Sequence, residues 1–461
     1  QETNEPHSDQ WEFISNIKKH STEFVDKLYN QLFEKEAVKT ETKFENTNGI
    51  EISFDRQLYL KRIQLSKKIT KFLRENLNFI NSDWLIKKNL GKSVYNIDMF
   101  FKLIEEKENE IIIPRGFVNR LVNFCQKENV VFQLHDNRKK LPEINVETSI
   151  ELFDYQNKAI EITDKKDFGV IVAPPSSGKT ILGLEIIARK KQPALIVVHR
   201  KQLFDQWIER IQSFFGIAKS HIGQIGSRKK TIGKEVTVAM IQSLAKLKNV
   251  ANYASKFGTI IIDECHHIPA KTFRETIIHF NSYYLYGLTA TPKRKNNDEK
   301  LIFVYIGEIL HEITQKEYAD FEQSKIEINI KETKLFVPFD YKVDKYEIVS
   351  QILIFDTSRN QMIIEDIITE IPKRKTILVL TERKAHVEVL NLYLKEKHET
   401  ITITGDDSKT KRVSKLKQIK NGHFKVIIST GQFFGEGIDL DIIDCLFLVY
   451  PFAFEGKLIQ Y

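Results

Sequence analysis

Residues 168–180 constrain this chain more than any other stretch. They read Phe-Gly-Val-Ile-Val-Ala-Pro-Pro-Ser-Ser-Gly-Lys-Thr. The apolar run 170–173 has the length and composition of a strand buried on both faces. It breaks at Pro174 and Pro175, passes through Ser176, Ser177 and Gly178, and reaches Lys179 and Thr180. Beyond them Ile181, Leu184, Ile187 and Ala188 recur at helical spacing. A strand, a small-residue loop, Lys-Thr and a helix together make an anion cradle. Loop amides and the helix N-terminus face a phosphate, Lys179 reaches the β- and γ-phosphates, and Thr180 can hold Mg²⁺. Ala173 stands where the strict pattern has its first Gly, so a chance loop containing Gly-Lys-Thr is the competing reading of this segment taken alone.

A second signal lies downstream, at Thr259-Ile260-Ile261-Ile262-Asp263-Glu264-Cys265-His266-His267. A β-branched run ends abruptly in two acids, which places them at the C-terminal edge of a strand, where open α/β sheets bind ligands. Asp263 suits Mg²⁺ binding through water, and Glu264 can polarise an attacking water. Phosphoryl transfer needs both, and works mainly through positioning and electrostatics. The alternative is a surface acid pair capping a loop. Contiguous Cys265, His266 and His267 cannot readily converge on one tetrahedral ion, which argues against a metal centre there.

From residue 152 onward, apolar strand patterns alternate with helical ones, which predicts parallel α/β architecture. Strands are expected at 170–173, 194–199, 236–240, 259–262 and 284–288, then at 326–330, 376–380, 401–404, 426–429 and 445–449. Two such units in tandem, over 146–322 and 323–461, are the simplest organisation. Residues 45–145 read as a small α+β domain, with a strand at 50–60, helices at 62–76, 97–107 and 117–128, and strands at 110–113 and 130–134. Residues 1–44 carry Trp11, Ile14, Ile17, Phe24, Leu28 and Leu32 roughly at helical spacing. They read as amphipathic helix docking on a neighbour, or as a helical connector from an upstream module.

The formal charge of +8 mildly favours an anionic partner. Its distribution says more. Ten basic residues from Arg56 to Lys92 face only Glu75 and Asp83, with Phe79, Trp84 and Tyr95 interleaved. Such a stretch is either a solvated helix face or a patch for a phosphate backbone. Three isolated cysteines indicate neither a disulfide framework nor a Cys-rich zinc site. No apolar run approaches the length that crosses a bilayer, so no membrane partner is expected. A reducing cytosol is the expected compartment, or the nucleus in a eukaryote. Gln1 is not Met, and Tyr461 follows a run that reads as mid-domain, so the chain is expected to be an interior piece, with a module or partner protein before residue 1.

With both stretches in hand, the chain resembles the superfamily 2 helicases of the DEAD/DEAH type. Asp263-Glu264-Cys265-His266 is similar to their Asp-Glu-x-His box, and the other boxes follow in order. Phe153-Asp154-Tyr155-Gln156 resembles the adenine-reading box. Val198-His199-Arg200-Lys201-Gln202-Leu203 with Trp207 resembles the first nucleic-acid box, and Val238–Leu244, containing Gln242, the next. Gly287-Leu288-Thr289-Ala290-Thr291-Pro292 resembles the Thr-Ala-Thr box. In the second unit, Leu380-Thr381-Glu382-Arg383 sits where a backbone-contacting box belongs. Ser429-Thr430-Gly431-Gln432 through Gly435-Glu436-Gly437-Ile438-Asp439 resembles the box shared between nucleic acid and nucleotide. Within the superfamily the pattern is most like the XPB-type DNA helicases and translocases. That group carries an Arg-Glu-Asp triplet where this chain has Arg294-Lys295-Asn296, which weakens any strand-separating role drawn from the triplet.

The resemblance implies two tandem RecA-like parallel-sheet domains, the second incomplete, preceded by an accessory domain that touches DNA. It implies ATP and Mg²⁺ as cofactors. ATP would meet Gln156, the 176–180 loop and, from the second unit, Gly437 and Asp439. Asp263, Glu264 and Lys179 would be catalytic, with Mg²⁺ on Thr180 and Asp263. Arg200, Lys201, Gln242, Thr381 and Thr430 would grip nucleic acid, and His266, Thr289 and Thr291 would couple hydrolysis to that grip. Residues 455–461 resemble the opening of the final box, whose Gly-Arg-x-x-Arg continuation lies beyond Tyr461, so turnover by this stretch alone is expected to be low. The implied activity is ATP-dependent DNA unwinding or double-strand translocation, with RNA open as a substrate. Two alternatives stand beside it: the motor of a restriction or mobile-element conflict system whose nuclease or primase lies elsewhere, and a catalytically silent scaffold.

Overall fold

The computed structural model describes residues 49–226, 229–268, 271–291, 299–314, 317, 327–333, 346–374, 376–431 and 443–451. The expected N-terminal helix, the 294–296 triplet position, Gly437, Asp439 and the 455–461 segment lie outside the described residues. The chain divides into Gln1–Asn48 and a compact unit, Gly49–Tyr461.

That unit opens with a small five-stranded sheet of order β5-β6-β2-β1-β7. Its strands are β1 (Ile50–Phe54), β2 (Gln57–Lys61), β5 (Glu105–Glu106), β6 (Glu110–Pro114) and β7 (Phe132–Asp136). A two-stranded excursion, β3 (Asn78–Ile80) with β4 (Phe100–Lys102), projects from it. Two expectations fail here. Residues 50–60 form a hairpin rather than one strand, because Asp55 Oδ1 accepts from Gln57 N and turns the chain. Residues 97–107 are not helical; Phe101 instead pairs across to Phe79, with ring centroids 5.4 Å apart. The helix expected from residue 62 starts at Lys67, where Ser66 Oγ caps it by accepting from Ile69 N.

The main sheet follows, in the order β11-β10-β12-β9-β13-β14-β8-β15. Its strands are β8 (Phe168–Val172), β9 (Ala194–Val198), β10 (Gly223–Ile225), β11 (Lys230–Thr231), β12 (Val236–Met240), β13 (Thr259–Asp263), β14 (Tyr284–Thr289) and β15 (Ile309–Glu312). All neighbours are parallel except β10 and β11. Strands β8, β9 and β13 are buried along their whole length, as helices on both sheet faces require. Because β13, β14 and β8 are adjacent and parallel, their C-terminal ends share one edge.

A second parallel sheet, of order β17-β18-β16-β19, comprises β16 (Ile377–Thr381), β17 (Thr400–Ile403), β18 (Val426–Thr430) and β19 (Cys445–Leu448). The strand expected at 326–330 is absent from the described part, 327–330, where Ile328 and Ile330 are largely exposed. The architecture is thus mixed α/β, with two tandem RecA-like parallel sheets behind a small N-terminal sheet.

The small sheet and the main one share a hydrophobic core that runs from Ile52 and Leu58 through Phe54 and Phe168 to Leu195 and Ile260. Arg138 pins the seam. Its guanidinium bonds Asp136 at 2.7 Å and Asp167 at 3.0 Å, donates to Tyr283 O at 3.0 Å, and lies over the rings of Phe54 and Tyr283.

Candidate active site

The site forms where β8, β14 and β13 end side by side. After β8 the chain turns through Ser176 (φ 62°) and Gly178 (φ 85°), two left-handed residues in a row of three. Gly178 is natural in that region; Ser176 holds it under strain. The turn brings successive backbone amides to the N-terminus of the helix Lys179–Lys190, a nest for an anion. Gln156 and Tyr155 pin this loop from the preceding helix: Gln156 Nε2 donates to Ser177 O at 3.0 Å and Tyr155 Oη at 3.4 Å. Gln156 Oε1 accepts from Phe153 N, and the side chain is 2% exposed. One N–H and one lone pair of its amide are thus used to hold the loop, and a second of each remains. Ser177 Oγ donates to Pro174 O, closing the loop on itself.

Lys179 Nζ lies across this loop. It contacts Ala173 O and Pro174 O at 3.4 Å each and stands 3.8 Å from Glu264 Oε1. Asp263, the last residue of β13, is 5% exposed. Burial and neighbouring Glu264 push its carboxyl up to about 6, against the opposing pull of Trp207 and Lys179. Glu264 adopts a left-handed conformation (φ 50°), which turns the chain sharply off the strand. Its backbone N–H donates to Asp263 Oδ1 at 3.0 Å.

From Glu264 a polar chain leads across to β14. His266 Nδ1 lies 3.1 Å from Glu264 Oε2 and 3.1 Å from Thr289 Oγ1. Thr289 Oγ1 in turn donates to Thr291 O and accepts from Thr291 N. Lys179, Glu264, His266, Thr289 and Thr291 thus form one connected set.

The residues expected to grip nucleic acid are placed less uniformly. Arg200 occupies the position just before the helix Lys201–Phe215, beyond β9. Lys201 pairs with Asp205 on its own helix and lies over Phe204. Gln242 is exposed, and its amide donates to His199 O at 3.0 Å, tying the ends of β9 and β12 together. Thr381 and Thr430 are register partners at the ends of β16 and β18. The Thr381 side chain is wholly buried, with Oγ1 2.9 Å from His386 Nδ1. His386 Nε2 lies 3.0 Å from Asn360 Oδ1, while Asn360 Nδ2 donates to Ile354 O. An amide oxygen can only accept, so Nε2 carries the proton and Nδ1 accepts from Thr381. Burial, then the charge of Arg359, hold His386 down to about 4. No sequence signal marks this network, because Asn360 lies 26 residues before His386 on a separate helix.

The donor set suits Mg²⁺. Among the described residues no group of three or more His, Cys, Asp or Glu could hold a metal. Mg²⁺ needs no such cage, since one carboxylate, a hydroxyl, waters and substrate phosphates suffice. The Asp263 carboxylate and the Thr180 hydroxyl are groups of that chemistry.

Strand-end acids, an anion nest and a lysine on a parallel sheet define a nucleotide-binding α/β unit of the phosphate-loop class. Comparison with known families narrows this. Residues 149–294 match the family described as "Type III restriction enzyme, res subunit", and residues 347–460 match the "Helicase conserved C-terminal domain". The chain belongs to the superfamily 2 helicases.

Three relatives illustrate the spread. The DNA 3'-5' translocase XPB2 of Sulfurisphaera tokodaii is 32% identical over 43% of this chain and 43% of its own length. A protein of Acanthamoeba polyphaga mimivirus named as an ATP-dependent RNA helicase, L396, is 29% identical over 64% of this chain and 57% of its own. A protein of Invertebrate iridescent virus 6 named as a helicase, 161L, is 26% identical over 84% of this chain and 90% of its own. The chain thus spans about half the length of the first two, 43% and 57%.

Proposed function

We propose that this chain is the motor of a DNA-dependent ATPase of the XPB type, which moves along or unwinds duplex DNA. The observation that carries the reading is the connected set Lys179–Glu264–His266–Thr289–Thr291, which joins a phosphate-binding lysine to the Thr-Ala-Thr segment through two charge contacts at Glu264 and hydrogen bonds from His266 onward. Two relatives named for DNA translocation or DNA helicase activity, XPB2 and the Rad25 protein of Haloarcula marismortui, support DNA over RNA.

ATP binds with its phosphates in the 176–180 nest. Lys179 leaves its carbonyl contacts to neutralise the β- and γ-phosphates. Thr180 and Asp263 would hold Mg²⁺, which would supply neutralisation of charge on the transferring phosphoryl group. Glu264 orients the attacking water. His266 senses the same carboxylate and passes its position to Thr289 and Thr291. Gln156 holds the loop from behind, and its second N–H and second lone pair are the groups that meet the base. Arg200, Lys201, Gln242 and Thr430 contact the nucleic-acid backbone, with Gly437 and Asp439 assigned to the nucleotide from the second lobe. Residues 45–145 act as the accessory module, 146–322 as the first lobe and 323–461 as the second.

The test is turnover with duplex DNA, single-stranded DNA, RNA or no nucleic acid. DNA-stimulated hydrolysis is expected, with Glu264→Gln lowering kcat at least a hundredfold while nucleotide affinity stays within a few fold. Lys179→Ala should weaken nucleotide binding itself. Undiminished stimulated hydrolysis in Glu264→Gln would end the catalytic assignment, and stimulation by RNA alone would move the substrate to the class named for L396.

A further inference from the structure

Trp207 lies on the helix Lys201–Phe215, 56 residues before Asp263, and is 1% exposed. Its indole Nε1 donates to Asp263 Oδ2 at 2.8 Å. The far edge of the ring fills a notch in the phosphate-loop helix: a Cβ added at Gly183 would stand 2.7 Å from Trp207 Cη2, closer than real contacts allow. One side chain therefore touches the carboxylate at the end of β13 and the helix that carries Lys179 and Thr180.

We propose that Trp207 is a positioning residue that sets the orientation of the Asp263 carboxylate for Mg²⁺. The inference rests on the assignment of Asp263 to the metal. A buried carboxylate next to Glu264 needs hydrogen-bond donors, and it has two: Glu264 N on Oδ1 and the indole on Oδ2. The first comes from the adjoining residue and moves with the turn. The second comes from a rigid bicyclic ring that is fully buried and packed over Gly183. An indole has one donor and no acceptor, so it satisfies one lone pair of Oδ2 without competing as a base. The second lone pair on each oxygen stays available for metal or its waters. Outer partners of this kind orient a ligating carboxylate and govern metal affinity, typically by about 10- to 100-fold.

The experiment measures the affinity of a fluorescent, non-hydrolysable ATP analogue for the full chain, with saturating Mg²⁺ and with EDTA. The proteins compared are the unaltered chain, Trp207→Phe, Asp263→Asn and the double variant. Trp207→Phe removes the donor together with the benzo ring that lies against Gly183, so the EDTA arm separates lost packing from lost donation. The expected result is about a tenfold loss of affinity in Mg²⁺, no change in EDTA, and a double variant no weaker than Asp263→Asn. Equal affinity of Trp207→Phe and the unaltered chain in Mg²⁺, an equal loss in EDTA, or additive losses in the double variant would each overturn the inference. If Trp207→Phe does not fold, Gly183→Ala tests the same contact under the same criteria, since its methyl pushes the ring off Asp263 from the other side. An unaltered chain whose analogue affinity ignores Mg²⁺, or an Asp263→Asn variant identical to it, would instead defeat the assignment of Asp263 beneath the inference.

Discussion

At the scale of single residues, the site works by giving each polar group a partner that leaves its reactive side open. Lys179 rests on two carbonyls, which on the proposed function a phosphate would replace, and Asp263 is held from two directions. The second lobe shows the opposite use of a polar side chain. His386 is committed on both ring nitrogens and held neutral, at about 4. Unfolding restores an ordinary imidazole near 6.5. Between those values the unfolded state binds the extra proton, so stability falls as the pH drops from about 6.5 towards 4. The loss reaches at most about 3 kcal/mol by the linkage of 1.36 kcal/mol per pK unit. It is complete near pH 4 and absent above pH 7. Denaturant midpoints of the second lobe, followed from pH 7.5 to 4.5, should decline in the unaltered protein and decline less in His386→Gln. Parallel curves for the two would place the acid sensitivity elsewhere.

At the scale of elements, the basic stretch from Arg56 to Lys92 is not uniformly available. Lys61, Arg62, Lys68, Lys71 and Arg74 lie within ion-pair reach of Glu51, Glu106, Glu128 or Glu75. Exposed pairs of this kind are worth about 0–1 kcal/mol, too little to exclude a phosphate but enough to blunt the local field. Lys87 and Lys92, on and just after the helix Ser82–Asn89, have no ion pair among the described residues, and Lys88 lies 4.6 Å over the ring of Trp84. The stronger effect on nucleic acid is therefore expected from this excursion. Replacing Lys87, Lys88 and Lys92 with Glu should weaken DNA binding with little sequence preference and make the slope of log K against log salt shallower by about 2–3. Reversing Lys68 and Arg74 should change it less. A slope indifferent to all of them would mark the stretch as a solvated face.

At the scale of the whole molecule, the small N-terminal sheet is not a loosely tethered appendage of the first lobe, because one hydrophobic core runs through both. Arg138 concentrates that docking. Its side chain is 5% exposed, bonds two carboxylates and stacks on Phe54 and Tyr283. Arg138→Ala should cost roughly 2–4 kcal/mol, by removing a buried charge from its partners and an arginine from two aromatic faces. The loss should fall on the small sheet and the first lobe together. Urea unfolding followed by circular dichroism and by hydrogen exchange in each sheet is the measurement. Destabilisation confined to the small sheet would show that the shared core does not make the two cooperate.

What the sequence determined by itself was local or strictly ordered. Strands β8, β9 and β13 are read from composition because a strand covered on both faces must be apolar throughout. The acids at 263 and 264 are read from the abrupt end of such a run, and the order of the boxes carries the family. The tertiary structure alone decided what joins segments far apart in the chain. Trp207 is legible as a box residue, yet that its N–H meets Asp263 follows only from β9 and β13 being neighbours in the sheet. Thr381 occupies the right position in its box, but His386 and Asn360, which take its hydroxyl inward, lie on two separate helices. Residues 97–107 carry a helix-like spacing that lost to strand pairing with Asn78–Ile80 and Glu110–Pro114. Local periodicity reports which face a segment buries; the partner waiting on that face is set by the packing of the whole chain.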